Sequence, residues 1–322
     1  MTTTNTQPAT SNLQPATIGV FDSGFGGLTV LRALLPLIPG AHYIYLGDTA
    51  RLPYGSKSHE TIARYAVSSA KFLHEQGAEL LVIACNTATA LALEDIQQAL
   101  PIPVIGVIQP GAQAASDGST VIKNSAVTNN SAVILTLSEQ SEPKGKNPRV
   151  PPEPSPTPAK NHVLVLATAA TVQSHAYTRA LNALGLTACE KACPLLVPLV
   201  EEGWVDHPVT DEVLRIYLTE ALDSNPEAQT LLLGCTHYPL LEPAIRRTLA
   251  ALGHPLNIID SAESTARAVA AYLRQHPVNL QPATDNLQPA FYATDSIEKF
   301  QRLGSAFLGQ PVTSVNLVDL GG

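Results

Sequence analysis

Short apolar runs alternate with helical segments along most of the chain. The runs are Ile18–Phe21, Tyr43–Leu46, Leu80–Ala84, Val104–Val107, Val163–Leu166, Leu231–Leu233, Leu256–Ile259 and Phe291–Ala293. The segments between them that have helical periodicity are Thr61–Gln76, Ala88–Leu100, Val172–Leu184, Asp211–Leu222, Leu240–Leu252 and Ala262–Gln275. Alternation of this kind predicts an α/β fold of doubly wound parallel sheets. In such folds functional sites lie just beyond the carboxyl ends of the strands.

Three segments interrupt this pattern. Residues 1–17 contain the sequence QPAT twice, and residues 276–290 contain NLQPATDNLQPA; the proline in each repeat rules out a continuous helix. The longest interruption, 117–161, holds seven prolines, and its polar composition cannot bury enough apolar surface to offset the entropy of ordering. We predict a disordered tail over 1–17, a surface loop at the second repeat and a disordered insertion over 117–161, in which Ala132–Leu137 could form a strand.

Composition narrows the class of protein. The 322 residues carry a net charge of −8, which argues against broad electrostatic binding to nucleic acid or to anionic lipid. No apolar run approaches the roughly 20 residues of a membrane helix, and the N-terminal segment lacks the basic and apolar regions of a secretory signal. Four cysteines do not make a disulfide framework, so free thiols and a cytoplasmic location are the expectation.

Four strand ends carry chemically active side chains. They are Asp22 and Ser23 after the first run, Cys85, Asn86 and Thr87 after the third, Thr168 and Thr171 after the fifth, and Cys235, Thr236 and His237 after the sixth. Cys85 and Cys235 have the same context: an apolar strand, a small residue, the thiol, then polar groups that enter a helix. One such cysteine is usually an inert apolar side chain, but two in matching places indicate a functional pair.

Other interpretations of these and neighbouring residues are weaker or stay open. The glycines after Asp22 do not form GxGxxG, which disfavours a dinucleotide site, although a small anion could bind at the following helix start. Cys189 and Cys193 have no companion ligand pair, so we expect no metal site. Thr168 and Thr171 could cap a helix or donate to a carboxylate, and the sequence leaves both roles open. The acids Asp48 and Glu201 could pair locally or act in a site.

Two opposed thiols suit inversion at a carbon by two bases. One thiolate removes a proton from one face, and the other group, as a thiol, donates a proton to the opposite face. Because a free thiol has a pKa of about 8.5, thiolate formation needs local help, and Asp22 and His237 are the candidates. Hydroxyl, amide and backbone N–H donors would stabilise the enolate charge. A disulfide oxidoreductase would need exchangeable neighbouring thiols, and a thiol hydrolase only one nucleophile with its base.

Seven motifs in order carry a family resemblance. They are DSGFGGLTVL from Asp22, LGDTARLPYG from Leu46, ACNTATA from Ala84, TAATVQSHAY from Thr168, CPLLVPLVEEG from Cys193, LLLGCTHYPLL from Leu231 and FYATDSIEKFQRLGSAFLG from Phe291. With them the chain resembles the glutamate racemases of the aspartate/glutamate racemase superfamily over residues 18–116 and 162–310. The chain departs from the family pattern at Ala167, where glycine is usual, and in the expanded segments 117–161 and 275–291.

The resemblance implies a function and a site. It implies cofactor-independent interconversion of L- and D-glutamate, which supplies D-glutamate for peptidoglycan, with Cys85 acting on the D-enantiomer and Cys235 on the L-enantiomer. Substrate contacts are expected from Asp22, Ser23, Pro53, Tyr54, Gly55, Asn86, Thr87, Thr168, Thr171, Thr236 and His237. No cofactor and no metal are expected.

The resemblance also implies an architecture. We expect two similar domains that face each other across a cleft with pseudo-twofold symmetry, the first formed by 18–107 plus 258–322 and the second by 108–257, often in a homodimer. Two other functions are weighed beside this one: the same fold acting on aspartate, hydantoin or maleate, and a binding or regulatory protein that retains the pocket.

Overall fold

The computed structural model describes residues 16–129, 162–276 and 288–321, with side chains described up to residue 118 in the first of these ranges. The strands are β1 Thr17–Asp22, β2 His42–Gly47, β3 Leu80–Ile83, β4 Val104–Gly106, β5 His162–Ala167, β6 Thr187–Ala192, β7 Ala228–Gly234, β8 Asn257–Asp260, β9 Ala290–Ala293 and β10 Asn316–Leu317. The helices are α1 Leu28–Leu37, α2 His59–Glu75, α3 Asn86–Ala99, α4 Ile108–Asn129, α5 Ala169–Gln173, α6 Ala176–Ala183, α7 Leu196–Glu201, α8 Pro208–Ser224, α9 Glu242–Ala251, α10 Ser261–Gln275 and α11 Ile297–Leu308. Short 3₁₀ helices cover Thr49–Arg51, Tyr54–Ser56 and Tyr238–Leu241.

The strands form two parallel sheets with the same internal order. The first sheet runs β10-β9-β2-β1-β3-β4, and the second runs β6-β5-β7-β8. When β9 and β10 are set aside, β1, β2, β3 and β4 match β5, β6, β7 and β8 in order and direction. The predicted α/β class with two parallel-sheet domains is confirmed. The repeated order also makes β3 and β7, which precede the two cysteine motifs, equivalent strands.

Most strands follow directly from the apolar runs, because both faces of a parallel sheet are covered. The residues of β3 are all buried, as are the last five of β1 and of β5. The edge strand β6 was not predicted, because its sequence TACEKA is only half-buried and has no apolar run. The predicted helix over 172–184 is divided into α5 and α6 at His175, whose φ of 53° interrupts the helical backbone.

Three predicted boundaries need correction. Thr17 already belongs to β1 and Ala16 is buried, so the predicted tail 1–17 extends two residues too far. The boundary between residues 257 and 258 falls inside β8, which pairs with β7 and therefore belongs to the second sheet through Asp260. The prediction of disorder from residue 117 was wrong for 117–129, because these residues continue α4. The first proline of the predicted insertion is Pro143, so none interrupts the helix over 117–129.

Several predictions concern segments outside the described residues. These are the tail over 1–15, the insertion from 130 to 161 with its possible strand Ala132–Leu137, and the repeat within 277–287.

One apolar core joins the two sheets. It contains buried side chains from both, among them Val20 and Tyr45 of the first sheet and Leu166 and Leu233 of the second. The helix α10 packs against both α1 and α4 and so contributes to the contact between the two halves. The carboxyl ends of β1, β3, β5 and β7 are therefore brought to one place, and the functional side chains meet there.

Candidate active site

Cys85 and Cys235 line the same small cavity between the two sheets. Cys85 follows β3 and Cys235 follows the equivalent strand β7, and each thiol residue is about 95% buried. The volume of the cavity is about 40 Å³. Its lining is Ser23, Leu52, Pro53, Tyr54, Gly55, Cys85, Asn86, Thr87, Thr168, Val197, Cys235, Thr236 and His237. The two halves of the fold thus present one thiol each to a shared space.

The lining contains every residue expected at the site except Asp22 and Thr171. Both of these are fully buried just behind the lining, Asp22 against Thr236 and Thr171 against Thr87 and Thr168. Two apolar lining residues, Leu52 and Val197, were not predicted, because an isolated apolar side chain in a sequence carries no signal of a site.

The Cys85 thiol lies at the start of a helix. Cys85 is the N-cap of α3: the backbone N–H of Ala88 donates to Sγ at 3.4 Å, and Sγ donates to Ser23 Oγ at 3.5 Å. Burial and the nearby charge of Asp22 raise the pKa of Cys85 to about 11, against the lowering effect of its hydrogen bonds. Without a ligand the Cys85 thiol is therefore protonated at neutral pH. The start of α3 favours the thiolate once a positive charge of the substrate offsets the effects of burial and of Asp22.

The Cys235 thiol faces an imidazole. Its Sγ lies 4.0 Å from His237 Nδ1. Burial raises the pKa of Cys235 strongly, and negative charge on Cys85 or Asp22 raises it further, while the backbone N–H of His237 lowers it. Because ionisation of one thiol opposes ionisation of the other, the pair favours one thiolate and one thiol over two thiolates.

Asp22 ties the two halves together behind the thiols. Its Oδ2 accepts from the Gly24 N–H at 2.9 Å, and its Oδ1 accepts from Thr236 Oγ1 at 3.4 Å. Burial raises the pKa of Asp22, which His237 and the hydrogen bonds from Gly24, Gly27 and Thr236 partly offset. Asp22 thus contacts the cysteine-bearing segment of the second sheet from a strand of the first.

The role of Glu201, which the sequence left open, is explained by its two partners. Glu201 Oε1 lies 3.3 Å from His237 Nε2, and its Oε2 accepts from Lys299 Nζ at 2.9 Å. Burial alone would raise the pKa of Glu201, but hydrogen bonds and electrostatic interactions with His237 and Lys299 lower it below its ordinary value. Glu201 is therefore an anchored carboxylate that contacts the nitrogen of His237 opposite the thiol.

Asp48, the other open residue, supports one wall of the cavity. Tyr54 donates its hydroxyl to Asp48 Oδ2 at 2.5 Å, and Thr294 Oγ1 donates to Oδ1 at 2.9 Å. The guanidinium of Arg51 pairs with the same carboxylate at 3.2 Å. Since Tyr54 and its neighbours Pro53 and Gly55 line the cavity, Asp48 acts as an internal support for this segment.

Replacing Asp48 with alanine should destabilise the protein by about 3 kcal/mol, because it leaves Arg51, whose side chain is only 10% exposed, as a charge without its partner. Denaturant unfolding monitored by circular dichroism measures this loss. Asp295→Ala at the neighbouring surface position is the control and should change the free energy of unfolding by less than about 1 kcal/mol. An unchanged stability of the Asp48 variant would contradict the supporting role.

Hydroxyl and amide groups surround the rest of the cavity. The Oγ1 atoms of Thr87, Thr168 and Thr171 lie 3.0–3.2 Å from one another, within hydrogen-bond distance. Thr168 Oγ1 also caps α5 by accepting from the Thr171 N–H. Asn86 Oδ1 accepts from the Tyr177 hydroxyl at 2.6 Å, while its Nδ2 is buried and has no hydrogen-bond partner among the described residues. An unpaired buried amide is costly, so this N–H₂ group is a natural donor for a bound ligand.

The side chains of the lining define the chemistry that the site can perform. Among residues 16–118, 162–276 and 288–321, no group of three or more histidine, cysteine, aspartate and glutamate side chains is placed to hold a metal ion. The lining instead offers two thiols, an imidazole and neutral donors. This set can move protons and stabilise negative charge.

Comparison with known proteins agrees with this geometry. The family model described as "Asp/Glu/Hydantoin racemase" matches residues 18–143 and 157–269. Glutamate racemase of Koribacter versatilis is 46% identical over 330 residues, covering 96% of this chain and 99% of the relative. Glutamate racemase of Geobacter metallireducens is 40% identical, covering 94% of this chain and 96% of the relative.

In the part of the chain that the structure describes, no helix is long and apolar enough to cross a membrane.

Solved structures give the same result. Glutamate racemase from Francisella tularensis in complex with D-glutamate aligns with a TM-score of 0.76 at 32% identity, and the enzyme from Thermus thermophilus in complex with β-chloro-D-alanine aligns with 0.73 at 37%. Each alignment covers 96% of this chain and 99% of the solved chain. The chain belongs to the Asp/Glu/Hydantoin racemase family. Within that family, the relatives that it matches over nearly its whole length are glutamate racemases.

Proposed function

We propose that this chain racemises glutamate with Cys85 and Cys235 as the two bases. The observation that carries the proposal is their placement: equivalent strands of two sheets bring one thiol each to a single cavity. Membership of the racemase family and the glutamate racemases among its relatives support glutamate as the substrate.

At the end of the proposed reaction the two cysteines have exchanged their protonation states. The Cys235 thiolate takes the Cα proton of L-glutamate, and the electron pair passes into the carboxylate as an enolate. The Cys85 thiol then donates its proton to the opposite face of Cα, which gives D-glutamate. Cys235 is now the thiol and Cys85 the thiolate, and this form is ready for the reverse direction. Because ionisation of one thiol opposes ionisation of the other, the pair does not carry two thiolates at any point of this cycle.

Formation of a thiolate in this site requires a compensating positive charge, because burial raises the pKa of both thiols. The α-ammonium group of the substrate brings a positive charge next to them. We assign His237 to assist Cys235, whose Sγ lies 4.0 Å from His237 Nδ1. We assign Asp22 to Cys85 as a proton acceptor and not as a source of charge compensation, because its negative charge raises the pKa of that thiol. The N-terminus of α3 favours negative charge on Cys85 in addition.

Neutral donors are proposed to hold the substrate carboxylates. The lining of the described cavity contains no lysine or arginine. The unpaired amide of Asn86 and the hydroxyl of Ser23 are proposed as donors, together with the uncapped N–H groups at the start of α5. The hydroxyls of Thr87 and Thr236 are proposed to turn from their present partners to the substrate. Helix N-termini with exposed N–H groups bind carboxylates well.

Substrate entry requires the site to widen. The cavity of about 40 Å³ is small and is closed in by the side chains of both halves. A larger cleft of about 390 Å³ adjoins the cavity and shares Leu52, Pro53, Gly55, Thr168 and Val197 with it. We propose that glutamate enters from this cleft and that the Pro53–Gly55 segment moves to admit it.

The wider biological role is also a proposal. A glutamate racemase supplies D-glutamate for peptidoglycan, and the site supports that product. A cytoplasmic location, expected from the composition, and a homodimer, implied by the sequence resemblance, remain predictions.

A racemisation assay tests the function. Purified chain incubated with D-glutamate and no added cofactor should lose optical rotation until the two enantiomers are equal, and D-aspartate under the same conditions should react far more slowly. The Cys85→Ser/Cys235→Ser double variant, purified identically, controls for contaminating racemases. Preference for aspartate, or an inactive protein with intact circular dichroism, would overturn the proposal.

A further inference from the structure

Lys299 reaches from one half of the fold to the catalytic region of the other. It lies on α11, between the first-sheet strands β9 and β10, whereas its partner Glu201 ends α7 of the second half. Its Nζ donates to Glu201 Oε2 at 2.9 Å and lies 5.5 Å from the centre of the Phe25 ring. Neither the predicted site nor the cavity lining includes Lys299.

A continuous series of contacts leads from Lys299 to a thiol. Glu201 is held by Lys299 at one oxygen, and its other oxygen lies 3.3 Å from His237 Nε2. The Nδ1 atom of His237 is 4.0 Å from Cys235 Sγ. A carboxylate at Nε2 holds the ring proton there and turns the Nδ1 lone pair toward the thiol, as a carboxylate does for a catalytic imidazole generally.

From these contacts we propose that Lys299 is a positioning residue for proton transfer at Cys235. It fixes the Glu201 carboxylate, which in turn fixes the tautomer and orientation of His237 beside the thiol. The same helix supports the imidazole a second time, because the Phe307 ring packs edge-on against His237 with centroids 5.1 Å apart. The inference rests on the proposed two-thiol racemisation and adds one residue to it.

Removal of the Lys299 charge should lower activity modestly and should slow only one of the two proton transfers. The side chain of Lys299 is 42% exposed, so its ion pair is partly screened by solvent. Lys299→Met, which keeps the apolar stem, should lower kcat/KM by about two- to fivefold. L- and D-glutamate have equal free energy in water, so kcat/KM must fall equally in both directions. A one-sided defect therefore has to be detected by isotope effects rather than by comparing rates.

The deuterium isotope effect identifies the impaired thiol. Lys299→Met slows only the transfer at Cys235, which acts on the L-enantiomer. The isotope effect on kcat/KM should therefore rise with Cα-deuterated L-glutamate and fall with Cα-deuterated D-glutamate. A structural disturbance that slowed both transfers alike would leave the ratio of the two effects at its wild-type value, and that result overturns the inference.

The pH profile gives an independent readout. Glu201 acts as an anion, and Lys299 helps to keep its pKa low. Removal of this cation raises the Glu201 pKa, so the loss of kcat/KM on the acid side should begin at a higher pH in Lys299→Met than in the wild type. If kcat/KM falls at the same acidic pH in Lys299→Met and in the wild type, the proposal is contradicted.

Two matched variants complete the test. Lys299→Arg keeps the charge and should restore both the isotope ratio and the acid limb. Lys191→Met removes another ion-paired lysine, bound to Glu220 on the edge strand β6, and should leave both unchanged. If the wild-type chain racemises glutamate but Lys299→Met equals it in all readouts, only the inference about Lys299 fails; an inactive wild type would instead overturn the proposed function.

Discussion

Replacing either Cys85 or Cys235 with serine should lower kcat for glutamate racemisation by about 10³-fold, within the range that loss of a general base produces. Serine preserves the size of the side chain, but its hydroxyl is far less acidic than a thiol. Neither the thiolate that removes the Cα proton nor an adequate donor for the return step would then be present. Because both transfers are needed for inversion, each single variant should lose nearly all activity in both directions.

The control for this prediction is Cys189→Ser. Cys189 is a half-buried cysteine on β6 that does not line the cavity, and its replacement should leave kcat within about twofold of the wild type. Circular dichroism and thermal unfolding show whether each variant is folded. A folded Cys85→Ser or Cys235→Ser enzyme with near wild-type kcat would contradict the two-thiol mechanism.

Gly26→Ala should lower kcat/KM by about 100-fold while the protein remains folded, because small displacements of positioned catalytic groups carry losses of this size. A Cβ at Gly26 would overlap Thr236 Oγ1 and lie 2.7 Å from His237 Nδ1. Both side chains would have to move, and Thr236 also donates to Asp22. The turn after β1 needs glycine here because the opposite half of the site packs directly against its backbone.

Gly111→Ala is the matched control. Gly111 lies within α4, and a Cβ there would meet its nearest neighbours at an ordinary 3.6 Å. Alanine should therefore be accepted and should stabilise the helix by up to about 1 kcal/mol. Steady-state kinetics of both variants, with thermal unfolding, separates displacement within the site from a general effect of an added methyl group. Wild-type kcat/KM in Gly26→Ala would contradict the close packing of the two halves.

The positions of the two thiols could be predicted from local sequence alone. Each cysteine ends an apolar run and begins a polar helix start, and parallel strands place such ends at one edge of a sheet. The repeated strand order explains why two motifs 150 residues apart in the chain converge. The same logic predicted most of the cavity lining, because these residues follow the strands directly.

Contacts between distant elements could not be predicted in this way. The ion pair of Glu201 with Lys299 joins residues 98 positions apart, and the support of Tyr54 by Asp48 depends on the conformation of the loop between them. The edge strand β6 has no apolar run, because only half of its surface is covered. The helical start of the insertion was missed because composition was averaged over 117–161, whereas its prolines begin only at Pro143.

Solvent deuterium incorporation at Cα, followed separately from each enantiomer, tests the two-base mechanism most directly. In D₂O the thiol that donates to the product carries solvent deuterium, whereas the thiol that abstracts from the substrate receives protium. At early times the product enantiomer should therefore be labelled and the recovered substrate should remain almost unlabelled, whichever enantiomer is used at the start. Equal labelling of substrate and product from the first turnovers would indicate a single shared base and would contradict opposed roles for Cys85 and Cys235.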